Sequence, residues 1–250
     1  MLYWIHLKMS KVAIFVEGQS ELIFIRYCLL LVLGWDKISF ECWELYGNKT
    51  KPVRYRYAAK NAEIHFFILD VGNDERVLSV VKEREEVLFQ RGYEKIIALR
   101  DMYSEKYRKR SPGKIDENVT RAFIENTHKE IAKMSEPARI KIHFAIMELE
   151  AWFLGMYNIF ERLNSALNIN YIEENLGFNL STIDPQIEFF KPADIVDKIL
   201  QLVSSQYKKS KDDIESICSK IEMADFSNAF ENGRCVSFKN FYDDVLNYGN

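Results

Sequence analysis

Apolar residues along this chain fall into two alternating patterns. Short continuous runs rich in β-branched residues predict buried strands at Lys11–Val16, Ile38–Leu45, His65–Leu69, Lys95–Leu99 and Ile140–Ile146. Helical spacing appears between them. Ser20 can cap a helix that Gly34 stops. Val77, Val80, Val81 and Leu88 mark a helix over 74–90, and Val119, Phe123, Thr127, Ile131 and Met134 mark another over 116–134. A further helix is predicted from Met147 to about Leu163, and within it the adjacent Trp152 and Phe153 are expected to face different layers. Strands alternating with amphipathic helices predict an α/β fold, a mostly parallel sheet flanked by helices. From about Asn168 the pattern weakens, and Asp184-Pro185 and Lys191-Pro192 punctuate it. Helices are expected near 193–206, 211–222 and 238–246. The predicted organisation is an α/β catalytic domain over 1–165, with a C-terminal helical elaboration over 166–250 packed on it.

Composition narrows the class without naming a chemistry. The chain has 250 residues, 48% of them hydrophobic and 28% charged, enough to bury a core without staples. The four cysteines, Cys28, Cys42, Cys218 and Cys235, show no paired ligand spacing; they read as reduced thiols of a cytoplasmic protein. The apolar start, Met1–Lys11, is interrupted by His6 and Lys8 and lacks the flanks of a signal peptide. The run Leu22–Leu33 contains Arg26 and is too short to span a bilayer, so no membrane segment is expected.

Acids stand where the predicted strands end. Glu17 follows VAIFV, Asp70 follows HFFIL, Asp101 follows KIIALR, and Glu148 and Glu150 lie just past a fourth strand. Ligands of open α/β sheets bind beyond the carboxyl ends of the strands. Carboxylates gathered there repel one another unless cations sit between them, and oxygen-only ligands suit Mg2+ or Mn2+. Each acid alone also fits a plainer role beside a helix dipole, Glu21 above all. Asp70, with Gly72, Asn73 and Asp74, fits a turn and helix cap and lacks the calcium-loop spacing.

The segment VAIFVEGQSE, with Glu17, Gly18 and Glu21, resembles the opening motif of the Toprim (topoisomerase-primase) superfamily. IIALRDMYS resembles the later Toprim strand that ends in an Asp-x-Asp pair; Asp101 matches the first acid, and Tyr103 stands in place of the second. IMELEAWFLG, DPQIEFFKPADIVDKIL and CVSFKNFY resemble parts of bacterial Toprim-like proteins related to the nuclease domains of overcoming-lysogenization-defect proteins and of some phage-defence systems. The resemblance implies a Toprim-like sheet and metal-dependent hydrolysis of phosphodiester bonds in DNA or RNA, with an ATPase partner. It implies Glu17 as metal ligand or general base, Asp101 as main ligand, Glu21 as ligand of a second metal, and Glu148 or Glu150 in place of the acid missing at Tyr103. The alternatives are a catalytically silent nucleic-acid-binding or regulatory subunit and a different phosphoryl transfer on a nucleotide. The nuclease reading requires Glu17 and Asp101 within about 10 Å of each other.

Net charge is only −3, but basic residues cluster twice. Lys49, Lys51, Arg54, Arg56 and Lys60 occur without an acid between 47 and 62, interleaved with Tyr46, Tyr55 and Tyr57. Such a stretch can hold phosphates and stack bases, or it can be a hairpin whose tyrosines cover the core edge. Arg100, Lys106, Arg108, Lys109 and Arg110 surround Asp101 in sequence. They are either a steering patch that contacts backbone phosphates or an exposed linker. His65 and His143 lie within apolar strands and His128 in a polar helix, so none is expected to bind metal.

Overall fold

In a computed structural model, residues 9–47 and 49–246 are described; the opening segment 1–8, with His6, lies outside them. The elements run β1 (Ser10–Val16), α1 (Gln19–Leu33), β2 (Ile38–Tyr46), β3 (Lys49–Ala58), β4 (Ile64–Asp70), α2 (Val77–Gln90), β5 (Lys95–Asp101), α3 (Glu105–Arg110), α4 (Glu117–Ile131) and β6 (Ile140–Ala145). Helices alone follow: α5 (Glu150–Gly155), α6 (Asn158–Leu163), α7 (Ile169–Leu176), α8 (Pro185–Glu188), α9 (Pro192–Gln201), α10 (Lys211–Cys218), α11 (Met223–Phe230) and α12 (Val236–Val245). Strand order is β3-β2-β4-β1-β5-β6. All neighbours are parallel except the β2–β3 hairpin. The chain is therefore an α/β protein with a mostly parallel, helix-flanked sheet and C-terminal helices.

Central β1 explains the two-sided cover. Val12 to Val16 are wholly buried. Val12, Ile14 and Val16 enter one apolar cluster, whereas Ala13 and Phe15 enter the other, as the strand period of two requires. Helix α1 lies on the first side and is apolar nearly all round, with Leu22, Ile23, Phe24, Ile25, Cys28 and Leu29 buried. A helix of that kind needs partners on its outer side as well. Phe226, Phe238 and Phe241 of the C-terminal helices supply them, within the same cluster as β1.

The expected single helix over 147–163 is two. Helix α5 ends at Gly155, and α6 starts after Tyr157. Gly155 lies where a Cβ would come within 2.5 Å of the Cys235 sulfur, so a side chain there would push α5 off the C-terminal segment. Trp152 and Phe153 do not part toward different layers. Both touch Phe24, at ring distances of 5.7 and 5.8 Å, and Trp152 also stacks on Phe238 at 4.7 Å. Prolines 185 and 192 begin α8 and α9 in their first turns, a position where the missing N–H costs nothing. The 105–114 stretch is not only linker: Ser104 caps α3, and Tyr107, wholly buried, bonds Thr120 Oγ1 at 2.9 Å. All four cysteines are free and buried. Among the described residues no helix is long and apolar enough to cross a membrane.

Candidate functional site

Parallel register brings the strand ends level. Val16 pairs with Leu99, and Asp101 pairs with Ala145, so Glu17, Asp101 and the segment after β6 emerge at one end of the sheet. Pairing continues past the strands, with Tyr103 N–H donating to the Met147 carbonyl at 2.7 Å. Glu17 Oε2 accepts the Asp101 backbone N–H at 2.9 Å. The two acids therefore meet the proximity that the nuclease reading requires. Asp101 Oδ1 in turn accepts the Leu149 N–H at 3.0 Å and fixes the entry to α5. Glu21 Oε2 accepts the Gly18 N–H at 3.0 Å, the plain helix-start role open to it, yet the residue is only 5% exposed.

Asp101, Glu148 and Glu150 each place one carboxylate oxygen within 4.8 Å of the others. Both glutamates thus share the place beside Asp101. Tyr103 turns away: its ring meets Phe190 edge-on at 5.3 Å, and Arg108 lies over it at 5.2 Å. A cleft of about 410 Å³ opens next to this group, lined among others by Glu17, Glu21, Asp70, Asn73, Asp101 and Lys209. Asp70 makes the expected turn, accepting the Gly72 N–H at 2.8 Å, and still faces the cleft.

Lys209 has no signal in the local sequence. Its ammonium donates to Glu148 Oε1 at 2.8 Å and stands 3.2 Å from Glu150 Oε2. That second contact is close enough for an ion pair but poorly aligned, and Glu150 Oε2 makes no hydrogen bond. Tyr207 donates to Glu150 Oε1 at 2.6 Å, and the Ala193 N–H at the start of α9 donates to Glu148 Oε2 at 3.1 Å. The C-terminal helices therefore complete the site as well as the core.

The acids feel one another. Burial, then the Glu17 charge, pushes the Glu21 carboxyl up to about 8. Burial, then Glu21, Glu17 and Glu150, holds Asp101 well above the usual carboxylate range. Asp101 is half-buried by area, yet loss of water around its carboxyl remains the largest influence. Burial also raises Glu150 against the pull of Lys209. Burial would lower Lys209, but Glu150, Glu148 and Asp101 outweigh it and the ammonium stays charged. Protons thus hold places that a divalent cation could take, and the donors are all oxygen, as Mg2+ or Mn2+ prefers.

The basic residues divide. Lys49, Lys51, Arg54 and Arg56 are exposed on β3, the sheet edge farthest from β6, about 14 Å from β1 at ordinary strand spacing. Tyr55 and Tyr57 pack on the core side of β3, and Arg26 covers the Tyr55 ring at 3.9 Å, so these tyrosines shield the core edge. Arg100 is half-buried over the Phe144 ring at 5.4 Å and does not line the cleft. Helix α3 starts four residues past Asp101. On it Lys106 pairs with Glu75 at 3.3 Å and Lys109 with Glu105 at 2.5 Å, whereas Arg108 and Arg110 lie over Tyr103 and Phe123. His65 bonds Ser39 Oγ at 2.9 Å and His143 lies 3.2 Å from Asp244, both away from the acids, and His128 is exposed.

Comparison of the chain with protein-family models, with curated proteins and with solved structures finds no match.

Proposed function

We propose that this protein is a metal-dependent nuclease that hydrolyses phosphodiester bonds, in DNA before RNA. One observation carries the reading: five carboxylates, Glu17, Glu21, Asp101, Glu148 and Glu150, converge at the carboxyl end of the sheet with, among the described residues, a single ammonium between them. Such a gathering of acids is costly in a folded core unless protons or cations offset their charge. The motif resemblance to Toprim proteins points the same way. Glu17, Glu21, Asp101, Glu148 and Glu150 would hold Mg2+ or Mn2+. Bound there, the metal would supply Lewis-acid stabilisation of phosphate charge and a more acidic water. The protein's own part is positional. Glu17 locks the end of β5 through the Asp101 N–H, and Asp101 locks the start of α5 through the Leu149 N–H, so the ligand oxygens are fixed by backbone. Lys209 holds Glu148 and Glu150 together. Arg108, exposed beside the site on α3, would attract the polyanion. Action in phage defence and an ATPase partner belong to the same proposal and rest on the resemblance alone.

A silent nucleic-acid-binding or regulatory subunit is the second reading, favoured by Tyr103 packing on Phe190 where the family's second acid would stand. Plasmid and single-stranded substrates incubated with Mg2+ or Mn2+ separate the two. Cleavage should fall at least about a hundredfold in Glu17→Gln and Asp101→Asn. Equal cleavage by wild type and both variants, or none with any metal, would remove the nuclease reading.

A further inference from the structure

Lys209 is presented in an unusual way. Its backbone is left-handed, with φ at 53°, a conformation that non-glycine residues adopt only rarely. The flanking backbone is fastened on both sides: the Tyr207 N–H donates to Asp197 at 2.8 Å, and the Lys208 and Ser210 N–H groups donate to Asp213 Oδ2 at 2.9 and 3.0 Å. Ser210 returns a bond to the Asp213 N–H and starts α10. About 38% of the Lys209 side chain is exposed, yet its ammonium is turned inward between Glu148 and Glu150. The strained, fastened loop therefore aims a positive charge, and it does so at two members of the only carboxylate trio within 4.8 Å among the described residues. Glu150 Oε2 is an unpartnered acceptor on a side chain 1% exposed, directed toward this ammonium without an aligned bond. One ammonium offsets one charge. Glu17, Glu21 and Asp101 line the cleft beyond the two carboxylates that the ammonium contacts directly.

Resting on the metal reading above, we propose that Lys209 is a built-in cation that fills one of two cation positions in the acidic centre, so that the protein takes a single divalent ion, on its Glu17–Glu21–Asp101 side. The ammonium does there what a second metal does elsewhere: it screens Glu148 from Glu150 and leaves Asp101 as the carboxylate shared between the two positive charges. It also fixes the reach of the site, because an ion on the cleft side is open to substrate, whereas the Glu148–Glu150 side is closed by Tyr207 and α9.

The test counts metal rather than turnover. Mn2+ is titrated into the full chain at about pH 7.5, where carboxylate ligands can release their protons to a metal, with free ion followed by electron paramagnetic resonance and heat by calorimetry. One Mn2+ per chain is expected for wild type and for Lys209→Arg, and two for Lys209→Met, with thermal unfolding confirming that the variant is folded. Independently of any Lys209 variant, Asp101→Asn should lose the single ion. Two ions on wild type, or one on Lys209→Met at unchanged affinity, would overturn the built-in cation while leaving a metal centre standing. No ion on either wild type or Lys209→Met would overturn the metal reading itself. No ion on wild type but one on Lys209→Met would show that the ammonium is the centre's only cation, and would overturn the single-metal assignment.

Discussion

Asp225 and Glu150 are both about 1% exposed and both face a basic side chain, yet they sit in opposite kinds of surroundings. Asp225 Oδ2 receives the Arg162 guanidinium and the Glu222 N–H, and Arg162 also bonds the Lys220 carbonyl at 2.7 Å and approaches Glu222 at 3.6 Å. That group joins α6 to α11 and contains two acids and one guanidinium, the second acid mostly exposed to water. Around Glu150, one ammonium stands among five carboxylates drawn from separate strand ends and helix starts. The first arrangement closes a fold. The second gathers more acids than cations where the chain could have placed apolar residues, and this surplus, more than burial or pairing, separates a candidate site from a structural ion pair.

The contrast breaks first at Asp225. Asp225→Ala should cost about 3 kcal/mol in urea unfolding, the low end for a broken buried pair because Arg162 retains some contact with water. Mn2+ binding by the folded variant should not change. A loss below about 1 kcal/mol would mean that the Arg162 group is no more structural than a surface pair.

Next comes pH, which should act on the acidic centre. Glu21 keeps its proton in the folded chain up to about 8, whereas the unfolded chain loses it near the ordinary 4.5. The folded state then binds more protons through this window, so stability falls as pH rises and the contribution is gone above about 8. Asp101 is shifted in the same direction. His65, lowered by burial, acts below its ordinary 6.5, and the buried thiols act near 9 or higher, so the range between 6.5 and about 8 isolates the acids. With chelator present, the melting temperature should drop across that range, by an amount worth on the order of a few kcal/mol. Glu21→Gln, which still offers an acceptor to the Gly18 N–H, should flatten the slope and raise stability at about pH 8. Saturating Mn2+ should stabilise wild type more at the upper end of that range than at the lower, because fewer protons must leave. An unchanged slope in Glu21→Gln would remove the claim that these acids are held by protons.

How much of this was legible in the sequence follows from how local each signal was. Glu17 and Asp101 each close a run of buried strand residues, so strand and acid could be read together, and parallel register did the rest. Glu148 and Glu150 were visible as acids past a strand, though not that both would reach Asp101. Lys209 was not visible, because its meaning depends on a loop about 60 residues away folding back over the site. The C-terminal helices were only partly visible, since α7, α8 and α11 have eight residues or fewer, little more than two turns at most. The better clue lay elsewhere, in α1, whose all-round apolar surface demanded a layer beyond the sheet. Tyr55 and Tyr57 read equally as a base platform or a core edge, and only the fold shows them covering the edge.

The smallest expected effect sharpens the comparison at the surface. If charge surplus marks the site, then basic residues near it should matter to a polyanion, and equally exposed ones far from it should matter less. Arg108 and Arg110 lie on α3, just past Asp101, and neither is in an ion pair among the described residues. Arg54 and Arg56 lie on β3, separated from β1 by two intervening strands. Replacing Arg108 and Arg110 together by Ala should weaken binding of a fluorescent single-stranded oligonucleotide by roughly three- to tenfold at low salt and reduce the slope of log affinity against log salt by about 1 to 2. Replacing Arg54 and Arg56 should change affinity by less than about twofold and leave the slope nearly as it was. The pairs carry the same charge, so bulk electrostatics treats them alike and only position can separate them. Equal losses from the two pairs would show a diffuse field rather than a path toward the acids, and a larger loss from β3 would place the polyanion on the far edge of the sheet.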